Sequence, residues 1–302
     1  MLFCFYLYIG KLGTRGLVTK LDLYNQMKGE QPSDKQKRIA IVDDFTNKSV
    51  FIDADFKPDL THGEVVSRFL EEGMPDAELV RFNGHCIQAT DDEMPSDEEN
   101  ICFLRSISEQ LDKILQDIKN GKTYDAINIS LGFDVDFAPY SESFGVSLQN
   151  IASDKKIIKD WILSPEAQKE HEGWKELGNL IKKLDSISAN NIPIYIAAGN
   201  KGANFYNLFD LGDNSITVGS LNKKGKKANF SARNSAVDRW EQGVFDIKHI
   251  TDKNSKIGFD YTGDGTVDIT DDKTTAWWKL PNPFKLLGTS VSTPKAIVRD
   301  LK

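Results

Sequence analysis

Cysteine is scarce in this chain of 302 residues, with three in all, Cys4, Cys86 and Cys102. An odd set without Cys-x-x-Cys spacing indicates neither a disulfide framework nor a zinc site, and it leans toward a reducing compartment. Long apolar runs are also missing. Leu2 to Ile9 is the one extended stretch, far short of the roughly 20 residues of a membrane helix. With no basic segment before it and no small-residue cleavage site after it, it reads as a buried strand. Positive charge is in deficit: 38 Lys+Arg stand against 45 Asp+Glu, a net charge of −7. No basic block is dense enough to follow a phosphate backbone, so neither nucleic acid nor a membrane span is expected. Proline is limited to 10 residues and no Pro-rich or Ser-rich linker divides the chain, so one elaborated domain is expected.

What is present is an ordinary globular composition, 39% hydrophobic and 27% charged. From Arg38 onward, short apolar runs alternate with helical periodicity, the pattern of β-α-β units around a parallel sheet. The runs are Ile39–Val42, Glu78–Phe82, Ala126–Leu131, Ile192–Ala198 and Ser215–Ser220. Val65, Val66, Phe69 and Leu70 mark a helix opening near His62, and Thr61 with Glu64 has capping-box spacing. Leu104, Leu111, Ile114 and Ile118 mark a second helix, ending at Asn120-Gly121, and Leu177, Leu180, Ile181 and Leu184 a third. The expected fold is α/β, a doubly wound, mostly parallel sheet with helices on both faces. Residues 1–37 form an N-terminal extension, and surface insertions fall at about 133–173 and 245–280.

In open parallel sheets, functional side chains lie beyond the carboxyl ends of the strands. Asp43 follows the first run, His62 opens the helix after it, and Asn200 follows Ile192–Gly199. Gly288-Thr289-Ser290-Val291-Ser292-Thr293-Pro294 places a serine at a glycine-led turn into a short helix. In the order Asp, His, Asn, Ser, with Ile127-Asn128-Ile129-Ser130-Leu131-Gly132 between His62 and Asn200, the sequence resembles the subtilisin-like serine peptidases. The resemblance runs from about Arg38 to Arg299. It implies a serine endopeptidase acting on a polypeptide substrate, with Ser290 as nucleophile, His62 as base, Asp43 orienting the imidazole and Asn200 at the oxyanion. It also implies that Ser130, Leu131 and Gly132 pair with the substrate as an added strand. Ala197, Ala198 and Gly199 then form the opposite wall of the P1 pocket, and their small side chains leave room for a medium or large residue.

Three departures from the family pattern stand out. Glu64 replaces a small residue after His-Gly, and Val291-Ser292 replaces a Met-Ala pair. Twelve residues follow Ser290, where the family continues with further helices. That reads as a C-terminally incomplete domain, with Ile297, Val298 or Leu301 expected to face water.

Within the second insertion, Asp260, Thr262, Asp264, Thr266, Asp268 and Asp271 place oxygen-bearing side chains with the spacing of an EF-hand loop. This gives an expectation of structural calcium. The alternative function is an inactive scaffold of the same fold serving as a calcium-dependent protein-binding module.

Overall fold

A computed structural model describes residues 36–46, 60–86, 96–270 and 284–302; the Leu2–Ile9 run, Cys4 and Asp271 lie outside them. Six strands form a sheet that is parallel throughout, in the order β2-β1-β3-β5-β7-β8. They are β1 (Arg38–Asp43), β2 (Glu78–Asn83), β3 (Ala126–Ile129), β5 (Ile194–Ala197), β7 (Ser215–Leu221) and β8 (Val237–Gln242). The chain winds outward from β1 to β2 and then returns to lay β3 on the other side of β1. The winding therefore reverses at the β1/β3 junction, where such sheets open a crevice at their carboxyl ends.

Alternation along the strands sorts the two faces. Ala40, Val42, Ile127, Ile129, Ile194 and Ile196 enter one core together with α2 (Asp97–Lys119) and α6 (Glu172–Ser188). Helix α2 gives this core Leu104, Ile107, Leu111 and Ile114, each at most 1% exposed, worth about 1.5–3 kcal/mol per side chain. The first insertion joins this core as well. It forms β4 (Asp134–Asp136), α3 (Ala138–Phe144), α4 (Ile151–Ile162) and α5 (Pro165–Glu170), and Ile151, Ile158 and Ile162 are fully buried. Strand β4 pairs antiparallel with β6 (Phe205–Asn207).

On the other face lie α1 (His62–Gly73) and α7 (Thr289–Leu301), packed against each other. The second insertion covers them with an antiparallel sheet of β9 (Val244–Thr251), β10 (Ile257–Asp260), β11 (Ile269–Thr270) and β12 (Phe284–Leu287). Val65 and Phe69 of α1 and Val291 of α7 share a core with Phe245, Ile247, Phe259 and Tyr261. The expectation of a serine-bearing helix with its apolar side in water is thus corrected. Ile297 is fully buried, Val298 and Leu301 are half-buried, and α7 packs on β3, β5, β7 and β8.

A second correction concerns the cysteines. Cys86, just beyond β2, is disulfide-bonded to Cys102 in α2, with Cα atoms 6.0 Å apart. Their separation of 16 residues carries no motif; the fold brings them together. Such bonds persist in oxidising surroundings.

Candidate active site

Asp43 is the last residue of β1 and is fully buried. Its Oδ1 lies 2.5 Å from His62 Nδ1 and accepts the Asp44 amide at 2.8 Å. His62 is the first residue of α1, and two local devices aim it. The Gly63 amide donates to the Asp44 carbonyl, tying the helix start to the strand end. Thr61 and Glu64 complete the capping box, Glu64 Oε2 accepting the Thr61 amide at 2.7 Å and Thr61 Oγ1 accepting the Glu64 amide at 3.2 Å. Glu64, a departure from the family pattern, therefore has a capping role. Burial alone would lower the His62 pKa; the charge and hydrogen bond of Asp43, with the charge of Asp44, outweigh it and raise the pKa above its ordinary value of 6.5.

Ser290 sits in the first turn of α7 and is 7% exposed. A Cβ at Gly288 would lie 2.7 Å from Ser290 Oγ, so a side chain there would crowd the hydroxyl. Among the described residues, no hydrogen bond joins the Ser290 hydroxyl to His62; the two residues stand on the adjacent helices α7 and α1. Serine and asparagine are linked through Thr289. Its amide and hydroxyl donate to Asn200 Oδ1 at 2.8 and 2.9 Å, and the Gly199 amide donates to the same hydroxyl at 3.2 Å. With its carbonyl held by Thr289, Asn200 keeps Nδ2 as its side-chain donor.

Ser130 is buried, and its hydroxyl donates to the Ser290 carbonyl at 2.9 Å while accepting from Asn128 Nδ2 at 3.0 Å. Its side chain thus serves the serine helix. Leu131 and Gly132 run on along the edge of the crevice, Gly132 exposed. Opposite them, Ala197 and Ala198 are buried, and Gly199 has φ +102°, a region that strongly favours glycine.

Sequence reasoning missed Asn207, which joins the two sides. Its Oδ1 accepts the Phe133 amide at 3.1 Å and its Nδ2 donates to the Ala197 carbonyl at 2.7 Å. It also missed Thr289 and Asp134, single residues in segments without periodicity. His171 caps α6 through the Gly173 amide, and His249 packs edge-on to Phe259.

The acidic loop gathers no cation site among its described residues. Asp260 accepts the Gly263 and Gly265 amides at 2.5 and 3.1 Å, and Asp264 accepts the Thr266 amide and hydroxyl, both at 2.7 Å. Asp268 accepts the Tyr261 and Thr262 amides at 2.9 and 3.0 Å and pairs with Arg68 of α1 at 3.1 Å. Among the described residues no three His, Cys, Asp or Glu side chains converge as metal ligands. Among the described residues these carboxylates are partnered by main-chain amides, Thr266 and a guanidinium, and Asp271, the last position of the expected loop, lies outside those residues.

No protein-family model matches the sequence, and no curated protein matches it. Solved structures do. A lanthipeptide protease is 15% identical over 93% of this chain and 76% of that one, with a TM-score of 0.48. The prenylagaramide maturation protease PagA is 17% identical over 91% and 78%, with a TM-score of 0.45. MycP1 from Mycobacterium smegmatis is 16% identical over 92% and 70%, with a TM-score of 0.48. At such identities and scores the likeness assigns no activity to this chain. In the order of its Asp, His, Asn and Ser blocks and in its doubly wound parallel sheet, the chain is similar to the subtilisin-like peptidases.

Proposed function

We propose that the chain is a serine endopeptidase that cleaves polypeptides through an acyl-enzyme on Ser290. The observation that carries this reading is the Asp43–His62 pair, 2.5 Å apart at the carboxyl end of β1, on a helix packed against the one that bears Ser290. A serine hydroxyl is a poor nucleophile at neutral pH and needs a base to take its proton. As Ser290 Oγ bonds to the scissile carbonyl carbon, its proton passes to His62 Nε2. Asp43, accepting from Nδ1, fixes the tautomer and stabilises the imidazolium. The carbonyl oxygen becomes an oxyanion facing Asn200 Nδ2 and the Ser290 amide. His62 then returns the proton to the leaving amine, and water repeats the sequence to release the acyl group. The Ser130–Gly132 edge, beside the crevice, suits a substrate added as a strand.

A fluorophosphonate probe tests the reading directly. It should label Ser290, and both Ser290→Ala and His62→Ala should abolish labelling. Equal labelling of Ser290→Ala would overturn the assignment.

A further inference from the structure

Asp134 has an unusual place for a carboxylate. It follows the Ser130–Gly132 edge by two residues and opens β4, whose pairing sets it opposite Asn207. The carboxylate is wedged between the two walls of the crevice. A Cβ built on Gly199 would lie 2.5 Å from its Oδ1 and 2.7 Å from its Oδ2, and one built on Gly132 would lie 3.2 Å from Oδ1. Two glycines, one on each wall, leave the space that the acid fills.

Its charge is not matched there. Oδ2 accepts the Asn200 amide at 3.3 Å, and Oδ1, buried, has no hydrogen-bond partner among the described residues. Lys201 is exposed, holds its Nζ 5.7 Å from the centre of the Phe205 ring, and forms no ion pair with Asp134. Burial raises the Asp134 pKa, while the Asn200 amide and the charge of Lys201 partly offset this. A half-buried carboxylate short of donors is a group whose energy falls when a cation is brought to it.

We propose that Asp134 is a specificity-determining residue that recognises a cationic side chain, lysine or arginine, at the substrate position preceding the scissile bond. The inference deepens the peptidase reading and rests on it for the identity of the crevice. Small walls alone admit any medium or large side chain. The carboxylate between them favours one that ends in N–H donors and carries positive charge, and it disfavours acidic ones by repulsion.

The test uses the full chain and peptides that differ only at that position, carrying Arg, Lys, Leu, Phe or Glu. The unmutated protein should cleave the Arg and Lys peptides best. Asp134→Asn should lower the ratio of their kcat/KM to that of the Leu peptide by about a hundredfold. Asp134→Ser, which also removes the charge while keeping an acceptor for the Asn200 amide, gives the same comparison should the asparagine variant fail to fold. A second measurement needs no turnover. Benzamidine should bind Ser290→Ala protein, and adding Asp134→Asn should weaken binding tenfold or more. An unchanged peptide ratio, or benzamidine binding that ignores Asp134 or is absent, overturns the proposal. Benzamidine binding that follows Asp134 in a chain that the fluorophosphonate never labels would sink the peptidase reading and leave the cation site standing.

Discussion

The hydroxyl of Ser130 donates to the carbonyl oxygen of Ser290 at 2.9 Å, across 160 residues of chain, and Pro294 accounts for the bond. In a regular helix that carbonyl would accept the amide four residues on, but proline has none. Pro294 lies inside α7, so the first turn of the serine helix has a free acceptor facing the sheet. Asn128 and Ser130 supply the donor from β3 and its extension. The helix is thereby fastened to the edge proposed to bind substrate.

Ser130→Ala should leave this buried carbonyl unpaired and cost about 1–3 kcal/mol in urea unfolding. Restoring an amide with Pro294→Ala should reduce that cost by at least half, a coupling that a double-mutant cycle measures. Equal costs in both backgrounds would show that Pro294 is not the reason for the bond.

The Asp43–His62 pair couples activity and stability in opposite directions. His62 has its pKa raised above 6.5 in the folded chain, so the folded state favours the protonated ring. The stabilisation is fully present below 6.5 and is lost as pH rises through the folded value. In the proposed mechanism the unprotonated ring is the base, so kcat/KM should rise through that same interval above pH 6.5 while the unfolding midpoint falls. Asp43→Asn should shift the rise to lower pH and reduce kcat about 10⁴-fold. A pH–rate profile of Asp43→Asn with an unmoved acid limb would remove Asp43 as the cause.

Thr289 holds the Asn200 carbonyl with both its amide and its hydroxyl, which leaves the side-chain nitrogen for the oxyanion role proposed above. Asn200→Ala should lower kcat about 10²–10³-fold with little change in KM. Thr289→Val keeps the main-chain donor and should cause a smaller fall of the same kind. A loss confined to KM in either variant would mean that the asparagine holds substrate and not the transition state.

Strands covered on both faces write continuous apolar runs, and that makes Ile39–Val42 and Ile194–Ala197 legible in the sequence itself. Capping chemistry is equally local: Thr61 and Glu64 announce the start of α1 from their spacing. The residues that join distant segments leave no such trace. Asn207 stitches Phe133 to Ala197, and Cys86 meets Cys102, because the winding of the sheet brings them together. The apolar partners of α7 are illegible for the same reason, since Phe245 and Phe259 belong to a sheet that packs on it only in three dimensions.

The Cys86–Cys102 bond closes a loop of 16 residues between the end of β2 and helix α2. By the chain-entropy argument it should stabilise the fold by about 3 kcal/mol. Dithiothreitol should lower the urea midpoint of the unmutated chain accordingly. Cys86→Ser should match the reduced protein and be indifferent to the reductant, and a response of the variant equal to that of the parent would place the effect elsewhere.

The acidic loop of the second insertion provides the last prediction. In that loop the side chain of Asp268 is 1% exposed and pairs with Arg68 on the helix that carries His62. Asp260 and Asp264 spend their oxygens on the loop's own amides. Thermal melts in calcium and in chelator should therefore coincide. Arg68→Met should instead cost about 1 kcal/mol, since it takes the cation from a buried carboxylate that keeps its Tyr261 and Thr262 donors, and the half-exposed guanidinium is partly screened by water. Because Arg68 ties the insertion to α1, the same variant should slow fluorophosphonate labelling of Ser290 by loosening the helix that aims the base. A melting temperature of the unmutated chain that rises with calcium would show that the loop binds the ion after all, with Arg68 displaced from Asp268.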